Sequence, residues 1–218
     1  MKTINIMMLV VCISITSNTN AQDNKRYHYN DYIDNSIGFG LKIGTNYSNV
    51  YSTEGEEFKS NPKFGLATGF FATIPIYRNL AIQPEILLSQ KGFKATGKVF
   101  NETYELKRTT TYIDVPILLM LKPVEFLSLL VGPQYSYLIK QKNRFTNAST
   151  TIDQEEAFEN DNIRKNTLCF IIGADINLNQ VVIGTRVGWD LQKNNGDSSS
   201  STPRYKNYWG QLTLGYKF

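Results

Sequence analysis

Apolar and polar residues alternate with a period of two through most of this chain, most regularly at its carboxyl end. There one face carries Tyr208, Leu212, Leu214, Tyr216 and Phe218, and the other carries Trp209, Gln211, Thr213 and Lys217. A period of two predicts a β-strand whose faces meet different surroundings. The stretch 208–218 also has the length of a tilted strand that crosses a bilayer. The last strand therefore suggests a membrane barrel.

The same pattern recurs and predicts eight strands. They span residues 37–48, 63–74, 80–94, 109–121, 126–140, 167–178, 181–191 and 208–218. An open sheet edge cannot face lipid, so strands of this kind must close into a ring. An even number of strands is also what a single-chain bacterial barrel needs. We therefore expect the last strand to pair with the first.

The predicted connections alternate between short and long. Those at 77–79, 122–125 and 179–180 are short, whereas those at 49–62, 95–108, 141–166 and 192–204 are long and polar. This alternation is typical of outer-membrane barrels. The sequence therefore predicts an all-β fold: an eight-stranded antiparallel up-and-down transmembrane β-barrel with short periplasmic turns and long external loops.

Charged residues converge on the polar face of the predicted strands. The candidates for a polar network in the lumen are Lys42, Glu85, Lys91, Asp114, Asp175 and Arg186. Buried charges must be paired, because an unpaired one costs several kcal/mol, and the interior of eight strands is only just wide enough for side chains. A structural ion-pair network is therefore the favoured interpretation. The alternative is that these charges line a pore or bind a small polar ligand.

A soluble lipocalin-like barrel would reverse the two faces and place the apolar one inside. Two features favour a barrel whose apolar face points outward to lipid. The polar face is rich in glycine, which suits a narrow interior better than a solvated exterior. Aromatic residues such as Tyr47, Tyr137 and Tyr208 also lie near the ends of the apolar stripes, where amphipathic rings settle at membrane interfaces.

The amino-terminal residues predict export. Lys2, an apolar stretch over 4–15 and a small-residue segment ending at Ala21 are typical of a signal peptide, 1–21, that is cleaved before Gln22. A polar N-terminal segment, 22–36, and an outer-membrane β-barrel domain, 37–218, follow. Removal of Lys2 lowers the net charge from +4 to +3, too little to argue for nucleic acid. The mature chain retains one cysteine, Cys169, so no intramolecular disulfide is expected.

Several short motifs resemble those of the PorT-like outer-membrane β-barrel proteins of Bacteroidetes-type bacteria. They are Gly40-Leu41-Lys42-Ile43-Gly44, Gln83-Pro84-Glu85-Ile86-Leu87-Leu88-Ser89-Gln90-Lys91-Gly92, Tyr112-Ile113-Asp114-Val115-Pro116-Ile117-Leu118-Leu119, Gly132-Pro133-Gln134-Tyr135 and Gly184-Thr185-Arg186, with an Ala21-Gln22 junction. The resemblance covers the chain from Ile37 onward. It implies the fold and the outer membrane, and its namesake's link to protein secretion suggests one role. Fold alone does not imply function.

The sequence contains little evidence of a catalytic site. The sole histidine, His28, precedes the first strand on the side predicted to be periplasmic, so the external loops lack the usual general base. We expect no enzyme activity and no cofactor. The loop 141–166 is acidic and holds Asp153, Glu155, Glu156, Glu159 and Asp161. A solvated loop is the favoured interpretation, with cation or partner binding as the alternative.

The sequence thus predicts a monomeric barrel in outer-membrane lipid. Its loops or periplasmic rim would contact an envelope or secretion protein or a surface ligand. A narrow channel for ions or small solutes and a soluble lipocalin-like binder are the alternatives. The terminal Phe218 resembles the aromatic end that barrel-assembly machinery reads, so it is predicted to act as an assembly signal.

Overall fold

A computed structural model describes residues 36–52, 60–99, 102–146, 151–157, 164–194 and 205–218. Within these ranges the chain forms strands only. They are β1 Gly38–Ser52, β2 Ser60–Tyr77, β3 Leu80–Val99, β4 Glu102–Val124, β5 Leu127–Thr146, β6 Thr151–Ala157, β7 Asn166–Leu178, β8 Val181–Asp190 and β9 Tyr205–Lys217. Among the described residues, no helix has the length and apolar character needed to cross a membrane.

Eight of these strands close into an antiparallel ring. Its order is β1, β2, β3, β4, β5, β7, β8 and β9, and β9 then pairs with β1. Leu41 lies opposite Tyr216, and Ser48 lies opposite Trp209, along this closing seam. The predicted eight-stranded up-and-down barrel, closed by its last strand against its first, is therefore confirmed.

The ninth strand, β6, corrects the prediction of a loop over 141–166. β5 continues to Thr146, and β6 pairs with it from Lys140 opposite Ala157 to Thr146 opposite Thr151. The loop prediction was wrong here because a polar sequence does not prevent backbone pairing in water. The side chains of 151–157 and all of 158–163, which include the five acidic residues, lie outside the described residues.

Other strands also run past their predicted ends. β1 continues to Ser52 and β2 begins at Ser60, inside the predicted loop 49–62. β3 reaches Val99 and β4 begins at Glu102, so little remains of the predicted loop 95–108. These strands keep their ladder hydrogen bonds beyond the apolar stripes. The turns between β2 and β3, β4 and β5, and β7 and β8 are tight, as expected. In the turn between β7 and β8, Asn179 takes the left-handed conformation (φ 55°) that asparagine tolerates.

The two faces of the sheet are oriented as the membrane interpretation requires. Phe39, Phe70 and Leu212 point outward with 58%, 65% and 54% of their surface exposed. Lys42 and Asp114, in contrast, point inward and are buried. A soluble barrel would bury the apolar set, so the lipocalin-like alternative is wrong.

The amino-terminal predictions lie outside the described residues. They are the signal peptide 1–21, nearly all of the segment 22–36, and His28. The barrel begins with β1 at Gly38.

Candidate functional site: the polar lumen

A four-residue ion-pair cluster occupies the lumen toward the short-turn end. Lys42 Nζ lies 2.6 Å from Glu85 Oε1, which also accepts a hydrogen bond from Gln83 Nε2 at 2.7 Å. Arg186 binds Asp175 through both terminal nitrogens, with Nη2 donating to Oδ2 at 2.9 Å. Arg186 Nη2 also lies 3.8 Å from Glu85 Oε1, so the two pairs form one network.

Glycines make room for this cluster. A Cβ atom added at Gly173 would lie 2.4 Å from Arg186 Cδ, and one added at Gly184 would lie 2.7 Å from Asp175 Oδ1. These two residues face the lumen on β7 and β8, the strands that also carry Asp175 and Arg186, and each lies opposite one member of the ion pair: Gly173 opposite Arg186 and Gly184 opposite Asp175. The glycine-rich polar face therefore provides space for the guanidinium group in a narrow barrel.

A second ion pair lies nearer the external end. Lys91 Nζ is 3.0 Å from Asp114 Oδ2, and both side chains are almost completely buried. The same ammonium group lies 3.8 Å from the centroid of the Trp209 ring and 4.9 Å from that of Tyr112. This arrangement combines a carboxylate with two aromatic faces around one cation, which stabilises a charge that has left water.

Cys169 and Asp190 form a third polar contact in the lumen. The thiol donates to Asp190 Oδ1 at 3.2 Å and lies 3.4 Å from Ser136 Oγ. Asp190 Oδ2 accepts from the backbone N–H of Asn207 at 3.0 Å and from its side-chain amide. Cys169 has no exposed surface, so its surroundings are those of a packed thiol.

Apolar side chains fill the spaces around these polar groups. One buried cluster contains Ala81, Leu118, Met120, Leu130, Cys169, Ile171 and Trp209. A second, which we call the mouth cluster, contains Val50, Phe93, Ala95 and Tyr205, with Leu106 against it. The lumen described here is therefore occupied by both paired charges and apolar packing.

Arg108 belongs to the external mouth and faces the lumen, although the sequence pattern does not single it out. Its Nη1 donates to Tyr205 Oη at 3.1 Å, and its Nε donates to Asn143 Oδ1 at 2.8 Å. The guanidinium carbon lies 5.6 Å from the centroid of the Phe93 ring. The predicted loop 95–108 includes Arg108, but the residue lies on β4 and continues the alternation of the inward Thr110 and Tyr112, which is the signal in the sequence that places it in the lumen.

The structure places all six candidate lumen residues inside the barrel, in two groups. Lys42, Glu85, Asp175 and Arg186 form one network, and Lys91 and Asp114 form the other. Phe218 lies apart from them at the short-turn end, with 70% of its surface exposed, and its N–H donates to Phe39 O at 2.9 Å. In the part of the chain that the structure describes, no group of three or more His, Cys, Asp or Glu side chains is arranged to hold a metal ion.

Comparison with known families accounts for this closed ring of strands. Residues 20–201 match the family described as "Outer membrane protein beta-barrel domain". The chain belongs to this outer-membrane β-barrel family. Its apolar exterior therefore faces lipid, the three tight turns lie on the periplasmic side, and the long strand extensions lie outside the cell. No curated protein matches the sequence significantly.

The chain also matches solved structures of outer-membrane barrels. The attachment invasion locus protein Ail of Yersinia pestis is 14% identical, with 83% of this chain and 98% of Ail covered and a TM-score of 0.47. Neisserial surface protein A is 10% identical, with 84% and 99% covered and a TM-score of 0.46. OprG of Pseudomonas aeruginosa is 13% identical, with 84% and 94% covered and a TM-score of 0.34.

Proposed function

We propose that this outer-membrane barrel is a monomeric, non-enzymatic protein that acts through contacts of its external strand extensions or its periplasmic rim with another protein or a surface ligand. The residues 37–218 would form the working domain, exported by a cleaved signal peptide, 1–21. The lumen would serve as a rigid, filled support. The polar lumen residues would have a structural role.

The filled lumen is the observation that supports this proposal. The charges of Lys42, Glu85, Asp175 and Arg186 neutralise one another at hydrogen-bonding distances. The mouth cluster and Arg108 occupy the external end above them. A permeating ion would have to separate buried ion pairs, and breaking such a pair costs about 3–5 kcal/mol.

The external extensions supply the surface for such contacts. β4 has 23 residues and β5 has 20, about twice the length needed to cross the bilayer. β6 widens this sheet on the side of β5. A sheet that continues well past the lipid exposes backbone and side chains to other molecules of the cell surface.

A role in protein secretion is the narrower form of the proposal. It is supported by the resemblance of the motifs around Lys42, Glu85 and Asp114 to PorT-like proteins. In that case the partner would be an envelope protein of a secretion system. The identity of a crosslinked partner separates this form of the proposal from the broader one.

Site-specific photocrosslinking in native outer membranes tests the proposal. A photoreactive residue would replace Tyr51 at the external end of β1 or Tyr77 at the periplasmic rim, both of which are exposed. We expect a discrete adduct with a protein or surface glycan from at least one of these positions. The lipid-facing Ile43, also exposed, is the matched control and should give no such adduct.

Conductance in planar bilayers tests the channel alternative on the same preparations. The wild-type barrel should produce no discrete conductance. Stepwise currents that change in Arg186→Gln, together with an absence of adducts at both rims, would overturn the proposal in favour of a pore.

A further inference from the structure

Two lysines lie directly opposite each other on the outer surface of β3 and β4. Lys94 pairs in register with Lys107, six positions beyond the pair Leu88 and Ile113, whose side chains face lipid. Residues separated by an even number of positions along a strand point to the same face of the sheet. Lys94 and Lys107 therefore point outward, as Leu88 and Ile113 do. Both lie on the external side of the apolar surface.

A third lysine joins them from β2. The pairing of β2 with β3 shifts between Pro62 and Ala67. Lys63, within this irregularity, donates from Nζ to Thr109 Oγ1 at 2.6 Å, across β3. Thr109 shares the outward face of β4 with Lys107, so the ammonium group of Lys63 reaches the same patch. Lys63, Lys94 and Lys107 together are the lysine patch.

Among the described residues, no acidic side chain compensates the charge of the lysine patch. Like charges directly opposite each other in a sheet are destabilising. Partial burial, with the nearby Lys107 and Lys94, lowers the pKa of Lys63 to about 8. Within the described ranges, none of the three ammonium groups has a carboxylate at ion-pair distance, and Glu105, two positions beyond Lys107, does not pair with them. An anion from outside the chain would remove this repulsion.

The depth of the patch indicates where that anion lies. Tyr47, Phe64, Tyr137 and Tyr208 form an exposed outer aromatic girdle, and the rings of Tyr47 and Phe64 lie 4.8 Å apart. Such girdles mark the level of the lipid headgroups. Lys63 immediately precedes Phe64 on the external side, and Lys94 and Lys107 follow farther out. Flexible lysine side chains at this level reach headgroup phosphates.

We propose that the lysine patch binds the phosphate of an anionic glycolipid in the outer leaflet of the outer membrane. The compact ammonium groups act as point charges for the phosphate, and the hydrogen bond to Thr109 fixes the position of one of them. This site is independent of the proposed contacts with a protein or surface ligand, and it adds a lipid class to the partners of the barrel.

The test compares the full-length barrel in two membranes. Nanodiscs would contain phosphatidylcholine alone or phosphatidylcholine with monophosphoryl lipid A, and thermal unfolding and lipid retention in native mass spectrometry would be measured. In phosphatidylcholine alone, Lys94→Gln/Lys107→Gln should unfold at the same temperature as wild type or higher, because repulsion is removed. With lipid A, wild type should gain stability and the double variant should not. Retention of lipid A should fall at least about tenfold.

Matched variants separate the patch from general charge effects. Lys206→Gln removes a cation from the outer face of β9, where Lys206 Nζ donates to Leu191 O at 2.9 Å, and should retain lipid A like wild type. Lys107→Arg keeps the charge and should also retain it. Unchanged retention in the double variant, or an equal loss in Lys206→Gln, would overturn the proposal.

Two ligand controls identify the source of the phosphate. Dephosphorylated lipid A should not stabilise the wild-type barrel. Inorganic phosphate should not displace lipid A at matched concentration. Equal binding of the dephosphorylated lipid would show that phosphate is not the recognised group, and efficient displacement by inorganic phosphate would point to a soluble anion; either result would contradict the lipid assignment.

Discussion

At the scale of single residues, small and large side chains are matched on neighbouring strands of the lumen wall. Gly188 lies opposite Trp209, and a Cβ atom added there would lie 2.4 Å from Cζ2 of the indole ring. The same indole ring lies 3.8 Å from the ammonium group of Lys91. Because the interior of eight strands has little spare volume, each bulky group depends on the absence of a side chain beside it.

Gly188→Ala is therefore expected to destabilise the folded barrel by about 1–3 kcal/mol through overpacking. Denaturant unfolding in lipid vesicles, followed by Trp fluorescence, measures this change. Gly210→Ala is the matched control, because a Cβ atom there meets nothing within 4 Å. Equal stability of the two variants would contradict the close packing of Trp209 against Gly188.

At the scale of elements, the closing strand β9 depends on its own alternating sequence and on its pairing with the distant strand β1. Its alternation is readable along eleven consecutive residues, and its pairing with β1 runs from Tyr205 opposite Ser52 to Lys217 opposite Gly40. Phe218 extends the seam by one hydrogen bond to Phe39 O and packs against Tyr216, with ring centroids 5.7 Å apart. Phe218 therefore continues the seam between β9 and β1.

Deletion of Phe218 should lower the amount of barrel in the outer membrane. The predicted reason is loss of the aromatic end that assembly machinery reads, with loss of one seam hydrogen bond as a smaller effect. Fractionation of envelopes and quantitative immunoblotting measure the level. Phe218→Tyr keeps an aromatic end and serves as the control; unchanged levels after deletion would refute the assembly role.

At the scale of the whole molecule, ring closure explains both the exterior and the interior. All backbone donors and acceptors of the spanning strands can pair within the ring, so an apolar surface can face lipid. The same closure brings charges from β1, β3, β7 and β8 together inside, where they neutralise one another. Membrane embedding and a polar core are two consequences of one topology.

This architecture predicts how the intact protein behaves in membranes. Carbonate washing should leave it in the membrane fraction, because lipid surrounds its apolar exterior. Unheated samples on a denaturing gel should migrate differently from boiled ones, since a closed β-barrel resists detergent until heated. A peripheral envelope protein analysed in parallel is the control. Release of the barrel by carbonate would contradict the membrane-spanning fold.

Alternation along each strand is enough to predict which residues face lipid and which face the lumen, because the side-chain period of a strand is two wherever it pairs. Lys42, Glu85 and Arg186 could therefore be assigned to the interior without coordinates. The ends of the strands could not be predicted as well: β3 and β4 continue through polar residues because backbone hydrogen bonds sustain a sheet in water without an apolar stripe.

The pairing of these side chains, in contrast, follows from the three-dimensional arrangement of the strands. Glu85 lies between Lys42 and Arg186, which belong to strands far apart in sequence, and no local pattern encodes that contact. The opposition of Lys94 and Lys107 likewise follows from the register of β3 and β4. The alternation along one strand sets a side chain's face, whereas its neighbours depend on strand order, register and ring closure, which bring distant residues together.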